Sequence, residues 1–254
     1  MNLIEFDEYP STNDFLKEYH MVLPPGIVVS AKCQTKARGR RDHNWESDNT
    51  TLSMSVLLRR QTEQARFVPL IASLAVCAAL EKLVSAEAYI KWPNDILLQK
   101  DNSYFKVCGI LCETAFLRTA SYRGGNNESC SGKIDVICGI GVNVSTDESF
   151  FARNSLFFAS SLKLTVGFAP EIPVLRNAIY KEIMAAGTEF TPEMHEVYCR
   201  RCVTLGKDVS IIRAGNVVET ARAIGISPDG ELICENGRGE FVVNSGEVSI
   251  RMVR

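Results

Sequence analysis

TLSMSVLLR, Thr51 to Arg59, alternates along its length and is rich in β-forming residues. It reads as a strand, because side chains two apart lie on the same face of a sheet. Val68 to Leu83 follows, with apolar residues at helical spacing on nearly every side. That is the pattern of a well-buried helix. A strand followed by a buried helix predicts a helix-on-sheet core, and the neighbouring segments extend it. Upstream, Leu3 to Phe6 reads as a short strand. Ser11 or Thr12 can cap the helix that runs through DFLKEYH, which Pro24, Pro25 and Gly26 break. Ile27 to Ala31 is a second strand and delivers the chain into a basic loop.

Downstream, Tyr89 to Trp92 and Ile96 to Leu98 read as strands joined by a tight turn at Pro93, Asn94 and Asp95. Lys106 to Thr114 and Ile134 to Val144 are two more strands. The polar, glycine-rich TASYRGGNNESCSG between them reads as a mobile loop or flexible hairpin end, and 121–132 is longer than a compact domain needs. Helices are expected over Pro173 to Ala186 and Glu193 to Arg200. From Val203 the chain breaks into short alternating runs, VTLGKDVSII, VVETARAIGI, GELICEN and GEFVV, separated by Gly, Asn, Pro and Asp. This predicts a small barrel-like β-domain that docks on the main one. The expected class is α+β, with domains at 1–202 and 203–254. No fixed-period repeat occurs.

With 254 residues the chain can bury a substantial core, and a net charge of -2 argues against nucleic-acid binding driven by overall charge. No apolar stretch reads as long enough to span a membrane. MNLIEFDEYP carries acidic residues and no basic leader, so a cytoplasmic protein is expected. The nine cysteines are odd in number and scattered, which fits buried thiols in a reducing compartment. Cys199 and Cys202 form one CxxC, without a second pair or a nearby histidine spaced for zinc.

The chemistry-bearing residues fall in a few segments. KARGRRDHNW, Lys36 to Trp45, packs Lys36, Arg38, Arg40 and Arg41 around Gly39. These cations repel one another unless an anion or acidic side chains neutralise them, and Gly39 lets a ligand approach closely. The loop is either an anion site or a solvated basic surface. It is not a Walker loop, and no GxGxxG opens a dinucleotide fold. KWPND, Lys91 to Asp95, puts a lysine at the end of a buried strand, where its charge must be satisfied. Asn94 and Asp95 either organise a ligand or simply make the turn. GIGVNVS, Gly139 to Ser145, sets two glycines and Asn143 on an apolar strand, and Gly109 in CGILCE has a similar spacing role. Asn143 either bonds a ligand base or sugar or finishes a turn.

The ordered set STN, QTxxRGRR…W, KWPND, CGILCE and GIGVNV, followed by a small β-domain, resembles the biotin protein ligase family over nearly the whole chain, from about Phe6 onward. Lipoate ligases share the catalytic fold but resemble this pattern less closely. The resemblance implies an α+β mixed-sheet catalytic domain of the biotin/lipoate ligase type and a C-terminal SH3-like β-barrel. It implies biotin and ATP as substrates with Mg²⁺, biotinyl-5′-AMP as intermediate, and a lysine of a biotin carboxyl carrier domain as acceptor. By motif position, Ser11, Thr12, Asn13 and Gln34 lie at the biotin end. Arg38, Gly39, Arg40 and Arg41 form the loop over the adenylate, with Arg38 and Arg40 on phosphate and carboxyl oxygens and Trp45 as cover near adenine. Lys91 is the expected catalytic lysine, Asn94 and Asp95 organise its turn, and Asp95 is the candidate metal ligand. Gly109, Ile110 and Leu111 wall the biotin pocket, and Asn143 contacts adenine.

Two departures stand out, Ala37 and Asp42, where the family pattern has glycines. The chain begins almost at the catalytic domain, so no DNA-binding repressor activity is expected, and either a monomer or a homodimer fits. The competing readings are a related ligase for lipoate or another acyl group, and a non-enzymatic adaptor that binds an acidic protein or nucleic acid through the basic loop.

Overall fold

The strand expected from Thr51 to Arg59 runs from Thr51 to Gln61 and is nearly all buried, which makes it a central strand. The computed structural model describes residues 1–40, 45–116, 132–213, 215–245 and 249–252. The stretch 117–131, which holds most of the expected mobile loop, lies outside the described residues.

Among the described residues seven strands form the main sheet: β1 (Leu3–Tyr9), β2 (Val28–Gln34), β3 (Thr51–Gln61), β4 (Ala88–Lys91), β5 (Asp95–Lys100), β6 (Ser103–Ala115) and β7 (Lys133–Asn143). Their order is β1-β2-β3-β7-β6-β5-β4. Only β1 and β2 pair in parallel, so the sheet is mixed. Two residues apart on β7 share a face. Val136, Cys138, Ile140 and Val142 face the large core together with the helix α2 (Val68–Val84). The other face of β7 carries Asp135, Ile137, Gly139 and Gly141. There the helix α1 (Thr12–Tyr19) packs through Leu16 against Ile27, Val29, Leu57 and Ile137. Ser11 caps α1, its Oγ accepting from the Asp14 amide at 3.3 Å.

A 3₁₀ turn at Thr62–Phe67 leads directly into α2. Together, Thr62–Val84 is long and apolar enough to cross a membrane by length and composition, a stretch the sequence reading passed over. Here its apolar side chains are used in the core, against the sheet and α5 (Ile172–Ala185). Between β7 and α5 lie two short helices that sequence periodicity does not reveal, α3 (Glu148–Arg153) and α4 (Leu162–Val166). A stretch of five or six residues holds too few turns to display a helical period. α6 (Pro192–Arg201) is capped by Thr191 and leads into the C-terminal strands.

The expected C-terminal barrel is not what forms. β8 (Asp208–Arg213), β9 (Asn216–Ile226), β10 (Leu232–Asn236), β11 (Gly239–Val243) and β12 (Ser249–Met252) make an antiparallel sheet of order β11-β10-β9-β8-β12. Closure needs the two edge strands to pair. Among the described residues β11 and β12 do not, so the sheet is open. Short alternating strands look the same in either case. What differs is the surface that covers the apolar face. Val209, Ile211, Ala221, Ala223, Leu232 and Cys234 join one continuous core with α2 and the main sheet, so the sheet does not need to curl on itself.

Candidate active site

The site begins with the β4–β5 hairpin. Lys91 pairs with Asp95, and Trp92, Pro93 and Asn94 make the turn. Trp92 is buried, its Nε1 donating to the Gly230 carbonyl at 3.1 Å and its amide to Thr204 Oγ1 at 3.0 Å. Tyr198 Oη donates to the Pro93 carbonyl at 2.9 Å. The turn is therefore clamped by α6 and by the C-terminal sheet. Asn94 is also buried, its Nδ2 donating to the Ile110 carbonyl and its backbone carbonyl accepting from the Ile110 amide at 3.1 Å.

This clamped turn presents Asp95 to two lysines. Lys106 Nζ lies 2.6 Å from Asp95 Oδ1, and Lys91 Nζ lies 3.9 Å from Oδ2. Burial alone would raise the Asp95 carboxyl; Lys106 and then Lys91 outweigh it and hold the group below its usual range. Sequence reasoning named Lys91 and missed Lys106. The reason lies in the register of β6. Ile96 pairs with Cys108 while Leu97 pairs with Lys106, so Val107 is an extra residue in β6. That bulge turns Lys106 onto the face of Gly109, where its Nζ would lie 3.3 Å from a Cβ added at Gly109.

Two glycines floor a slot beside this cluster. A Cβ at Gly141 would lie 2.5 Å from Trp45 Cε2, and one at Gly109 would lie 2.9 Å from Trp45 Cζ3. The indole rests on bare backbone of β6 and β7, which are paired there, Gly109 opposite Gly141. Lys106 Nζ sits 5.5 Å from the ring centroid. Trp45 Nε1 is buried without a hydrogen-bond partner among the described residues.

A polar network closes the α1 end of the slot. Thr12 donates to Gln34 Oε1 through its amide (2.7 Å) and its hydroxyl (3.1 Å). Its Oγ1 also lies 2.7 Å from Ser55 Oγ, which donates to Asn13 Oδ1 at 2.6 Å. Asn13 Nδ2 donates to Glu113 Oε2 at 2.8 Å and to the Leu111 carbonyl at 3.3 Å. Gly139 leaves room for this amide, which a Cβ would strike. Ser55 and Glu113 join the network without having been named from the sequence. Ser55 sits inside a strand that reads as pure core, and Glu113 ends the CGILCE run unremarked.

The described part of the basic loop reaches both ends of the site. Arg38 pairs with Asp14 and, at 3.5 Å, with Glu113. Partial burial would lower its pKa; Glu113 and Asp14 outweigh that and raise it. Arg40 Nη1 donates to Asn94 Oδ1 at 3.1 Å, and its Nη2 donates to the Ser245 carbonyl, just beyond β11. A cavity of ≈ 350 Å³ opens beside Arg40 and Asn94, bounded also by Leu70, Leu111, Asp229 and Ser245. Asn143 follows Gly141 by two residues on the same face of β7, and its Nδ2 donates to the Ser160 carbonyl at 3.0 Å. Arg41 and Asp42 lie outside the described residues. Among the described residues no group of three or more His, Cys, Asp or Glu is placed to hold a metal ion, and the Asp95 carboxylate is already taken by ammonium groups.

Comparison with known proteins identifies the family. Residues 4–123 match the model of the Biotin/lipoate A/B protein ligase family, and residues 204–251 match that of the Biotin protein ligase C terminal domain. The biotin protein ligase of Aquifex aeolicus in complex with biotin and ATP superposes with a TM-score of 0.77 at 26% identity, over 99% of each chain. The chain belongs to the biotin protein ligase family. Biotin--protein ligase 1, chloroplastic, of Arabidopsis thaliana is 34% identical over 185 residues, 69% of this chain and 42% of that protein. The chain thus spans less than half of that relative. Bifunctional ligase/repressor BirA of Bacillus subtilis is 27% identical over 237 residues, 89% of this chain and 67% of that protein.

Proposed function

We propose that this chain activates biotin with ATP and transfers it to a lysine of a biotin carboxyl carrier domain. In the first step the biotin carboxylate attacks the α-phosphorus, an O–P bond forms, and pyrophosphate leaves. In the second the acceptor amine attacks the acyl carbon of biotinyl-5′-AMP, an amide forms, and AMP leaves. One observation carries this reading. Lys106, Lys91 and Arg40 converge on the Asn94–Asp95 turn beside a glycine-floored slot, in a chain that superposes on a ligase structure holding biotin and ATP.

The chemistry explains why such a cluster is needed. Two anions must meet, and preorganised cations lower the cost of bringing them together and stabilise charge on the transferring oxygens. Lys106 and Lys91 face the reacting oxygens, and Asp95 keeps both ammonium groups aimed. Arg38 and Arg40 bring guanidinium forks from the loop to carboxyl and phosphate oxygens, Gly39 lets the backbone approach, and Arg41 adds charge. Ser11, Thr12, Asn13 and Gln34 hold the ureido end, walled by Gly109, Ile110 and Leu111. Trp45 covers the adenylate, and Asn143 meets the adenine. Residues 1–202 serve as the catalytic unit and 203–254 as the C-terminal unit.

Magnesium enters with the nucleotide. This cation is commonly held by substrate phosphates, with only one or two carboxylates from the protein. Asp95 is engaged by ammonium groups and does not form a protein-built cage, so no step is assigned to a protein-bound ion.

The test is incubation with biotin, Mg-ATP and an apo-carrier domain. The expected outcome is a carrier mass raised by one biotin amide, with AMP and pyrophosphate released. Well-folded protein that leaves the carrier unchanged would overturn the reading. Lipoate and octanoate as competitors decide the alternative of a related acyl ligase: the Thr12–Gln34–Ser55 network suits a ring with polar edges, so neither acid should be incorporated.

A further inference from the structure

Glu113 meets three elements at once. It lies on β6, on the face of Gly109 and Leu111, with only 17% of its side chain exposed. One oxygen, Oε2, accepts from Asn13 Nδ2 at 2.8 Å. The other, Oε1, accepts from Lys17 Nζ at 2.5 Å and lies 3.5 Å from Arg38 Nη1. Burial alone would raise its carboxyl; the bonds from Lys17 and Asn13 outweigh that and keep it ionised below its usual range. An ionised carboxylate only accepts hydrogen bonds. It therefore selects one of the two amide orientations of Asn13, with Nδ2 toward Glu113 and Oδ1 toward Ser55. The same charge, with Asp14, keeps the first arginine of the basic loop at the α1 end of the site with no ligand present.

We propose that Glu113 is a positioning residue for biotin capture: it orients the Asn13 amide and holds Arg38 over the α1 end of the slot before the substrate arrives. This rests on the ligase reading above. Asn13 and Arg38 would reach the substrate, and Glu113 acts through them. Prearranged donors raise affinity because less ordering remains to be done on binding. The role is thus on capture rather than on the chemical step.

The test compares Glu113→Gln, Lys17→Met, Arg38→Ala and the double variant Arg38→Ala/Glu113→Gln in biotin-dependent ATP–pyrophosphate exchange. Glutamine keeps an acceptor for Asn13 and loses the charge. Losing one charge-assisted bond predicts a KM for biotin raised about tenfold in Glu113→Gln, with kcat changed less than about threefold. In the Arg38→Ala background the same change should raise KM clearly less than in the parent, because the share carried by Arg38 is gone and only that carried by Asn13 remains. Lys17→Met should leave KM near the parent value. An unchanged KM in Glu113→Gln, an equal rise in both backgrounds, or a Lys17→Met rise matching that of Glu113→Gln would each overturn the proposal.

A second measurement needs no biotin activity. Trypsin should cleave after Arg38 several-fold faster in ligand-free Glu113→Gln than in the parent, at matched thermal stability; equal rates would also overturn it. A parent protein inactive with biotin refutes the ligase reading, and the cleavage rates still decide whether Glu113 holds the loop.

Discussion

Lys106 reaches the Asp95 carboxylate at 2.6 Å, while Lys91, four residues before Asp95, stands 3.9 Å from its other oxygen. The lysine distant in sequence is the nearer in space, and it also lies over the Trp45 ring and beside Gly109. Removing one preorganised donor from the place where charge develops in a transition state costs about 10²–10³ in rate. Lys106→Ala should therefore lower biotin-dependent pyrophosphate exchange at least about a hundredfold. Lys91→Ala should lower it about tenfold, since one lysine still faces the site. Exchange rates for the two purified variants decide the order.

Gly141 admits no side chain while Trp45 lies where it does. Alanine there would force an indole contact at 2.5 Å, and overpacking of this kind costs about 1–3 kcal/mol. Gly141→Ala should lose stability in that range in urea unfolding, or expel Trp45 from the slot. Tryptophan emission separates the two outcomes, since Trp92 remains buried in either case.

The fold carries carboxylates held below their usual range. Burial alone would raise Glu81, but bonds from Arg201 and the Ala88 amide outweigh it. Asp95 and Glu113 are lowered as well against the effect of burial, Asp95 by Lys106 and Lys91 and Glu113 by Lys17 and Asn13. A carboxyl whose folded pKa is lowered contributes stability above its unfolded pKa, about 3.9 for Asp and 4.3 for Glu, and loses it as pH falls through the folded value. Thermal stability should thus be insensitive to these groups between about pH 5 and 7 and fall below about pH 4. Glu81→Gln should lower stability at pH 7 and flatten the acid limb of a melting-temperature profile.

The C-terminal sheet is tied to the site through the indole of Trp92 and the Gly230 carbonyl. Trp92→Phe keeps most of the ring and removes the donor, leaving a buried carbonyl unpaired at a cost of about 1–3 kcal/mol. Amide exchange should speed up around Ser227–Glu231 more than in α2 if the bond links the two units. Uniform acceleration would show instead that the whole core has loosened.

Much of this was legible in the chain itself. Thr51–Arg59 and Val68–Leu83 repeat with the periods of strand and buried helix, and both form within a residue or two of their expected limits. Ser11 caps its helix because its short hydroxyl reaches the Asp14 amide, which has no partner within the helix. The basic loop, the KWPND turn and the glycine strands follow one another along the chain in the order of the family pattern. Local patterns could not supply what depends on contacts between distant segments. The barrel expectation failed because alternation specifies a strand and its apolar face, not the surface that covers that face.

The sequence alone determined the strands, the long helices, the capped start of α1 and the family motifs, since each is written in neighbouring residues. Tertiary structure decided which lysine stands closest to Asp95. Lys106 is three residues from Gly109, and an unbroken period of two would send them to opposite faces; the extra residue at Val107, visible only against its partner strand, brings them together. It also decided that Glu113 would join α1 to the basic loop, because a carboxylate finds cations 75 and 96 residues away only once the sheet has set them side by side.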